Sequence, residues 1–195
     1  MSTVTKLPEP NKISSISLEQ AITKRRSRRK FVSKALSLEQ IGQLCWAAQG
    51  REAHSRYRTT PSAGATYPLE LFIVIPDGLF QYLPEKHSLE KLTDQDLRAE
   101  LASAAWGQKF IADAPLTLVF TAQFSRTTGR YGQRGVRYVY MEAGHAAQNV
   151  HLQAEALGLG SVAVGAFDDA SVSKVLPLPD NLEPLYMVVA GYYRN

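Results

Sequence analysis

Three polar pairs along the chain have the spacing of helix N-terminal caps. In such a pair, a serine or threonine side chain accepts a hydrogen bond from the backbone three residues on, and the polar side chain at that position bonds back. Apolar residues at helical spacing support each one, so the sequence predicts three helices at these points. The pairs are Ser17 with Gln20, Ser37 with Gln40, and Thr93 with Asp96.

Two predicted helices have clear apolar faces. The helix that begins at Ser37 is expected to end at Gly50, and its apolar residues fall at i, i+3, i+4 and i+7. A longer helix is predicted from about residue 136 to residue 157, with Gly158 ending it. Its seam of mostly small residues predicts that another helix approaches closely. The seam consists of Ala143, Ala147, Val150, Ala154 and Leu157. The apolar face of the shorter helix consists of Ile41, Leu44, Cys45 and Ala48.

The predicted strands are short and unevenly spaced. Residues 69–75 and 79–83 flank the turn sequence Pro76-Asp77-Gly78, which predicts a hairpin. Three more strands are predicted over 115–122, 162–165 and 185–193. Because helices and strands do not alternate regularly, the expected class is α+β, with helices packed on a mixed sheet.

Composition indicates one compact domain of 195 residues, 45% of them hydrophobic. We expect an N-terminal arm over residues 1–16 and a single domain over 17–195. Cys45 is the only cysteine, which excludes an intrachain disulfide and favours a reducing cytoplasm. The longest apolar run, around 116–122, is too short to span a bilayer, so no membrane association is expected.

Positive charge is concentrated near the N-terminus. The net charge is +4, yet residues 1–50 carry 9 basic and 3 acidic side chains, and seven basic residues lie between Lys24 and Lys34 without an acid. Because residues 51–195 are net acidic, this pattern favours one anionic ligand site over a nucleic-acid surface. Guanidinium groups bind phosphate oxygens bidentately, and a phosphate-bearing small ligand is the favoured interpretation; a solvated charged turn is the alternative.

Three further motifs have a structural and a functional interpretation. The glycines of Gly158-Leu-Gly-Ser-Val-Ala match a dinucleotide-binding pattern, but here a helix ends where that motif needs one to begin, which favours a plain cap and turn. His145 and His151 fall on different faces of the long helix, so a metal pair is not expected, and both are predicted to be surface or interface residues. The loop 60–68 consists mostly of small residues that allow a flat ligand to approach the backbone, although an ordinary loop fits as well.

Together these segments resemble the nitroreductase family of FMN-dependent oxidoreductases, and within it the azoline dehydrogenases that form thiazoles and oxazoles in peptides. The resemblance covers residues 17–193. It rests on Arg-Arg-Ser-Arg-Arg at 25–29, Pro-Ser-Ala-Gly-Ala-Thr-Tyr-Pro-Leu-Glu at 61–70, Arg-Tyr-Gly-Gln-Arg-Gly-Val-Arg-Tyr at 130–138, Glu-Ala-Gly-His-Ala-Ala-Gln-Asn at 142–149 and Gly-Leu-Gly-Ser at 158–161.

The resemblance implies a homodimer with two FMN sites in its interface and the small-residue seam between subunits. It implies that one chain binds the phosphate, the ribityl chain and the edges of the flavin, and that the partner covers the ring. The implied phosphate and ribityl residues are Arg25, Arg26, Ser27 and Arg194. At the pyrimidine edge they are Arg29 and Gln108, at the N5 edge the backbone of Val164 and Gly165, and over the ring Pro61, Ser62, Ala63 and Gly64.

Arg130 and Tyr131 match a lysine-tyrosine pair associated with catalysis in the azoline dehydrogenases. Arginine stays protonated, so Arg130 can bind an anion but cannot act as a base, whereas Tyr131 can donate a proton. This departure, and the expectation that the chain lacks a domain for a peptide leader, favour general electron transfer between NAD(P)H and a small organic acceptor. The alternatives are azoline dehydrogenation of a modified peptide and a non-catalytic flavin-storage or protein-interaction module.

Overall fold

A computed structural model describes residues 3–51 and 55–194 of the chain. Its centre is a seven-stranded sheet with strand order β1-β4-β3-β2-β5-β7-β6, and helices cover both faces, which confirms the α+β class. The strands are β1 Val4–Lys6, β2 Leu69–Ile75, β3 Gly78–Leu83, β4 Ser88–Thr93, β5 Leu116–Ala122, β6 Gly160–Val164 and β7 Glu183–Gly191.

Seven α-helices pack around this sheet within the described residues. They are α1 Leu18–Lys24, α2 Leu38–Gln49, α3 Arg98–Ala104, α4 Lys109–Asp113, α5 Ser125–Tyr131, α6 Arg134–Ala156 and α7 Asp169–Val175. Two of the three predicted capping pairs are present, as capping boxes at Ser17 for α1 and at Ser37 for α2. No helix of this part of the chain has the length and apolar character to cross a membrane.

Alternate residues of the central strands supply two separate cores. On β2, Leu71 and Ile73 face α2 and α6, whereas Phe72 and Val74 face α3, α4 and α7. Every residue of β5 is buried, because this strand lies inside the sheet with helices on both sides. The result is a three-layer domain, helices on sheet on helices.

The predicted hairpin is confirmed, with Pro76 and Asp77 as its two-residue turn between β2 and β3. Gly78 begins β3 with φ +131°, and a Cβ there would collide with the carbonyl oxygen of Thr93. The glycine is therefore required by both backbone conformation and space.

Three expectations about local structure are corrected. Thr93 ends β4 instead of capping a helix, and α3 begins at Arg98 behind Leu97, which makes no side-chain cap. All six neighbouring strand pairs of the described sheet are antiparallel, so the sheet is not mixed. A parallel bridge joins Ser161 of β6 to Ser27, which lies outside the strands. Strands β1 and β4, which were not predicted, pair with each other at one edge.

The small-residue seam of α6 is buried within a single chain. Ala143, Ala147, Val150 and Ala154 are at most 4% exposed and belong to the core that also contains Leu44 and Ala48 of α2. The expected close helix contact exists, but it joins α6 to α2 and the sheet. The seam is therefore not a contact between subunits, because no surface remains there for a partner.

Candidate active site

The segment from Lys24 to Lys34, called the basic segment below, lies beside β6, the edge strand of the sheet. The backbone N–H of Arg28 donates to the carbonyl of Ser161 over 2.9 Å, and Ser27 forms a parallel bridge with the same residue. Lys30 lies two residues after Arg28, and its carbonyl accepts a hydrogen bond from the backbone N–H of Arg194 over 2.9 Å. These bonds fix Ser27 and Arg28 along β6 and bring Arg194, which is distant in sequence, to Lys30 of the same segment.

The guanidinium groups of this segment have different partners. Arg26 donates from Nη1 to the carbonyls of Thr23 and Arg25, at 3.0 and 2.7 Å, which ties it to the C-terminal end of α1. Arg29 lies over the ring of Phe110, 5.8 Å from Cζ to the ring centroid. In the part of the chain that the structure describes, neither Arg25 nor Arg29 forms an ion pair with a carboxylate.

His151 lies directly behind the basic segment and is buried, so the expectation of a surface or interface residue is wrong for it. Its Nδ1 is 2.7 Å from Oγ of Ser161. Burial, with a smaller contribution from the charge of Arg25, lowers the pKa of His151 to about 4. The imidazole is therefore neutral at physiological pH and serves to position β6 against α6.

Gln108 lies near the other end of β6. Its Nε2 donates to the carbonyls of Ala166 and Ala105, over 2.8 and 3.0 Å, so the side chain is fixed between two loops. Val164 is buried at the end of β6, and Gly165 follows it in an exposed position. A Cβ at Gly165 would meet Tyr186 only at 3.5 Å, an ordinary contact, so internal packing does not require glycine there.

A second group of predicted residues meets at the middle of the loop 61–67. Gly64 has φ +61°, and a Cβ there would lie 2.5 Å from the Tyr131 hydroxyl and 2.7 Å from Nη1 of Arg130. Nη1 of Arg130 donates to the Gly64 carbonyl over 3.3 Å. Arg130 and Tyr131 occupy the last turn of α5, which was not predicted, and they contact the loop of their own chain.

Glu142 is a buried carboxylate beneath this loop that sequence reasoning did not identify as a site residue. The Ser62 hydroxyl and Arg58 lie near it, and its Oε1 has no partner among the described residues. Burial raises the pKa of Glu142 to about 7, against the opposing effects of Ser62 and Arg58. The only sequence signal was a carboxylate on the inward face of an otherwise small-residue helix.

The two groups lie at different positions along α6. His151 lies next to the basic segment and Glu142 lies beneath the loop 61–67. These two residues are nine positions apart on α6, which corresponds to a rise of about 14 Å along the helix axis. One chain therefore separates the residues expected at the phosphate from those expected over the ring. Within the described residues, no cluster of three or more metal-ligating side chains occurs.

The chain belongs to the nitroreductase family, whose model matches residues 22–192. Over 185 residues, 92% of each chain, it is 44% identical to a Methanocaldococcus jannaschii protein assigned as a nitroreductase. The crystal structure of a Ralstonia eutropha protein with the same assignment superimposes with a TM-score of 0.88. Its sequence identity is 30%, with 98% of this chain and 90% of that one covered.

Two partial matches point to different chemistries within the family. The microcin B17-processing protein McbC of Escherichia coli is 28% identical over 62% of this chain and 48% of its own length. The NADPH-flavin oxidoreductase of Vibrio harveyi is 32% identical over 54% of this chain and 47% of its own length. The family membership expected from the motifs, including the relation to the peptide-processing branch, is thus confirmed.

Proposed function

We propose that this protein is an FMN-dependent oxidoreductase that transfers electrons between NAD(P)H and a small organic acceptor in a ping-pong cycle. The observation that carries the proposal is the basic segment fixed along the edge strand β6. Arg25 has no carboxylate partner among the described residues, and the side chain of Ser27 is exposed beside it. Such a donor set suits the phosphate of a bound nucleotide.

The exposed end of β6 supports a flat ligand beside that phosphate. Gly165 is glycine although its neighbours leave room for a Cβ, which suits a backbone that another molecule approaches closely. Arg25, Arg26, Ser27 and Arg194 would bind the phosphate and ribityl chain, and Val164 and Gly165 would face the N5 edge. Arg29 and Gln108 would line the pyrimidine edge, where a guanidinium stabilises negative charge.

Bound FMN would supply two-electron chemistry, accepting a hydride from NAD(P)H and passing two electrons to the acceptor. Around it, residues of the chain bind and orient the acceptor and donate a proton to it. Arg130 binds an anionic group but does not accept a proton, because guanidinium stays charged. Tyr131 donates a proton to the acceptor or orients it through its hydroxyl.

We also propose a homodimer in which Pro61, Ser62, Ala63 and Gly64 cover the ring bound by the partner. Since the inner face of α6 is buried, the subunit contact falls on its outer face. There Tyr140 and Met141 are 56% and 50% exposed, and a Cβ at Gly144 would meet nothing within 4 Å. A cytoplasmic location accompanies this proposal, because the one cysteine, Cys45, is a buried free thiol.

Oxidation of azolines in a modified peptide is the second candidate function. The match to the microcin B17-processing protein and the tyrosine at position 131 favour it. Arg130 in place of the expected lysine argues against it, because a base is then missing from that position.

Steady-state kinetics with NADH or NADPH and a quinone or nitroaromatic acceptor test the proposal. We expect parallel lines in double-reciprocal plots, the pattern of a ping-pong cycle. Tyr131→Phe is expected to slow reoxidation by the acceptor while the flavin content stays unchanged. A yellow protein that oxidises a peptide azoline but never NAD(P)H would replace the first function by the second, and absence of turnover with every donor would leave a non-catalytic flavoprotein.

A further inference from the structure

A stretch of 28 residues, 114–141, contains four arginines and neither aspartate nor glutamate. One of the four is neutralised, because Arg126 forms an ion pair with Glu70 at 2.7 Å. The side chains of Arg130, Arg134 and Arg137 are exposed. Of the carboxylates in the described ranges, 3–51 and 55–194, none pairs with these three.

Two of these arginines flank a pair of tyrosines. The Cζ atom of Arg130 lies 5.3 Å from the ring centroid of Tyr131, and that of Arg134 lies 5.8 Å from the centroid of Tyr138. The two tyrosine rings meet edge to face, with centroids 5.2 Å apart and planes at 86°. We call Arg130, Tyr131, Arg134 and Tyr138 the arginine–tyrosine cluster.

The cluster spans the junction of two helices. Arg130 and Tyr131 end α5, Arg134 begins α6, and Gly132 turns the chain between them with φ +55°. Arg130 is anchored through its bond to the Gly64 carbonyl. A guanidinium has five N–H donors, so this bond leaves most of them free for another acceptor.

Arg134 and Arg137 lie three residues apart on α6, a spacing at which like charges repel. Stacking on tyrosine faces keeps the guanidinium planes in place but does not neutralise their charge. Planar guanidinium groups bind carboxylate and phosphate oxygens through paired N–H donors, so this arrangement suits an anionic group. The tyrosine rings beside them offer a surface against which an aromatic ring packs.

We propose that the arginine–tyrosine cluster binds the anionic group of a reactant, so that the enzyme selects substrates bearing a carboxylate or phosphate. This inference rests on the proposed function, because it assigns a substrate class to the site that contains Tyr131. The anion has two sources: a carboxylate on an aromatic acceptor, or the 2′-phosphate that distinguishes NADPH from NADH. Both use the same chemistry at Arg130 and Arg134.

Matched reactant pairs test the proposal on the protein as purified. The ratio of kcat/KM for 4-nitrobenzoate to that for the neutral 4-nitrobenzamide is measured with either nicotinamide donor, and the NADPH to NADH ratio is measured with 4-nitrobenzamide. Comparison of each ratio between wild type and the variants Arg130→Gln and Arg134→Gln cancels the intrinsic reactivity of the two compounds. The control is Arg137→Gln, which, like Arg134→Gln, removes one positive charge from α6, but Arg137 lies over no tyrosine ring among the described residues.

We expect one of the two ratios to fall about tenfold in Arg130→Gln and Arg134→Gln and to change less than about twofold in Arg137→Gln. A fall in the nitrobenzoate ratio identifies the acceptor as the source of the anion, and a fall in the NADPH ratio identifies the donor. Ratios that stay constant in all variants, or that fall equally in Arg137→Gln, would overturn the proposal.

Equilibrium binding separates this proposal from the proposed function. Calorimetric titration with 4-nitrobenzoate and with 2′-phospho-AMP needs no turnover. If no donor supports reduction but Arg134→Gln weakens binding of either anion about tenfold, the anion site stands and the electron-transfer function fails. If turnover is normal and Arg134→Gln binds both anions as wild type does, the function stands and the anion site fails.

Discussion

Nδ1 of His151 and Oγ of Ser161 lie 2.7 Å apart, and this contact joins the long helix α6 to the strand that borders the basic segment. Because Ser161 also bonds to Arg28 and bridges Ser27, the neutral imidazole supports the position of the expected phosphate-binding residues. The ring is a structural support behind the site and does not itself carry charge there.

This contact predicts acid sensitivity. The pKa of His151 is lowered from 6.5 to about 4 in the folded protein, so the unfolded chain binds the proton first. The stabilising contribution is complete above pH 6.5 and is lost as the pH falls toward 4. We expect His151→Gln to lose less unfolding free energy than wild type between pH 7 and pH 5, as measured by urea denaturation. An equal loss in both proteins would show that the imidazole titrates normally.

Glu142 predicts a pH dependence of the opposite sign. Its pKa is raised from 4.5 to about 7, so the folded protein keeps a proton that the unfolded chain releases. The contribution of the protonated Glu142 to the free energy of unfolding is complete below pH 4.5 and is lost as the pH rises to about 7. Glu142→Gln should therefore gain stability relative to wild type between pH 5 and pH 8, by up to about 3 kcal/mol. Urea denaturation at the two pH values measures it, and a constant difference would contradict the raised pKa.

Gly64 is predicted to be intolerant of any side chain. Gly64→Ala would place a methyl group against the Tyr131 hydroxyl at a positive φ, and we expect a loss of about 2 kcal/mol together with slower acceptor reduction. The control is Gly129→Ala in the neighbouring helix α5, where the added methyl meets nothing within 4 Å. That variant should be unchanged or slightly stabilised in thermal denaturation. Equal behaviour of the two variants would show that the loop does not pack on Tyr131 as described.

Opposite faces of α6 should respond differently to a new charge. Ala147→Glu buries an unpaired carboxylate in the core and should cost more than about 4 kcal/mol, so the chain unfolds. Gly144→Glu places the same group on the exposed face and should leave a folded monomer if that face is the subunit contact. Size-exclusion chromatography with circular dichroism distinguishes these outcomes. A folded Ala147→Glu monomer would restore the seam as an interface, and a dimeric Gly144→Glu would move the interface elsewhere.

Local signals determined which parts of the fold were predictable. The capping boxes at Ser17 and Ser37 were correct, because the partners lie within one helical turn. Strand β4 was missed because four of its six residues are polar, and its conformation depends on pairing with β3 across the sheet. Thr93 was assigned as a helix cap but ends a strand, because helix caps and strand ends contain the same residue types and local sequence does not distinguish them.

The candidate site divides in a similar way. Arg25, Ser27 and Arg130 could be named from motif resemblance, and the structure places Ser27 beside β6 and Arg130 beside Gly64. The burial of His151 and Glu142 could not be predicted, because it depends on which face of α6 packs against the sheet and which loop covers that face. The small-residue seam correctly indicated close packing, but spacing alone does not say whether the partner helix is in the same chain.

The amount of FMN bound per chain tests the account most directly. The protein should purify yellow, and flavin released by denaturation and quantified by chromatography should be FMN at about one per chain. The double variant Arg25→Ala with Ser27→Ala should remain folded by circular dichroism and lose most of this flavin, whereas Lys174→Ala on α7 should keep it. A folded double variant with full FMN content, or a wild-type protein that neither contains nor binds FMN, would contradict the assignment of the basic segment as the phosphate site.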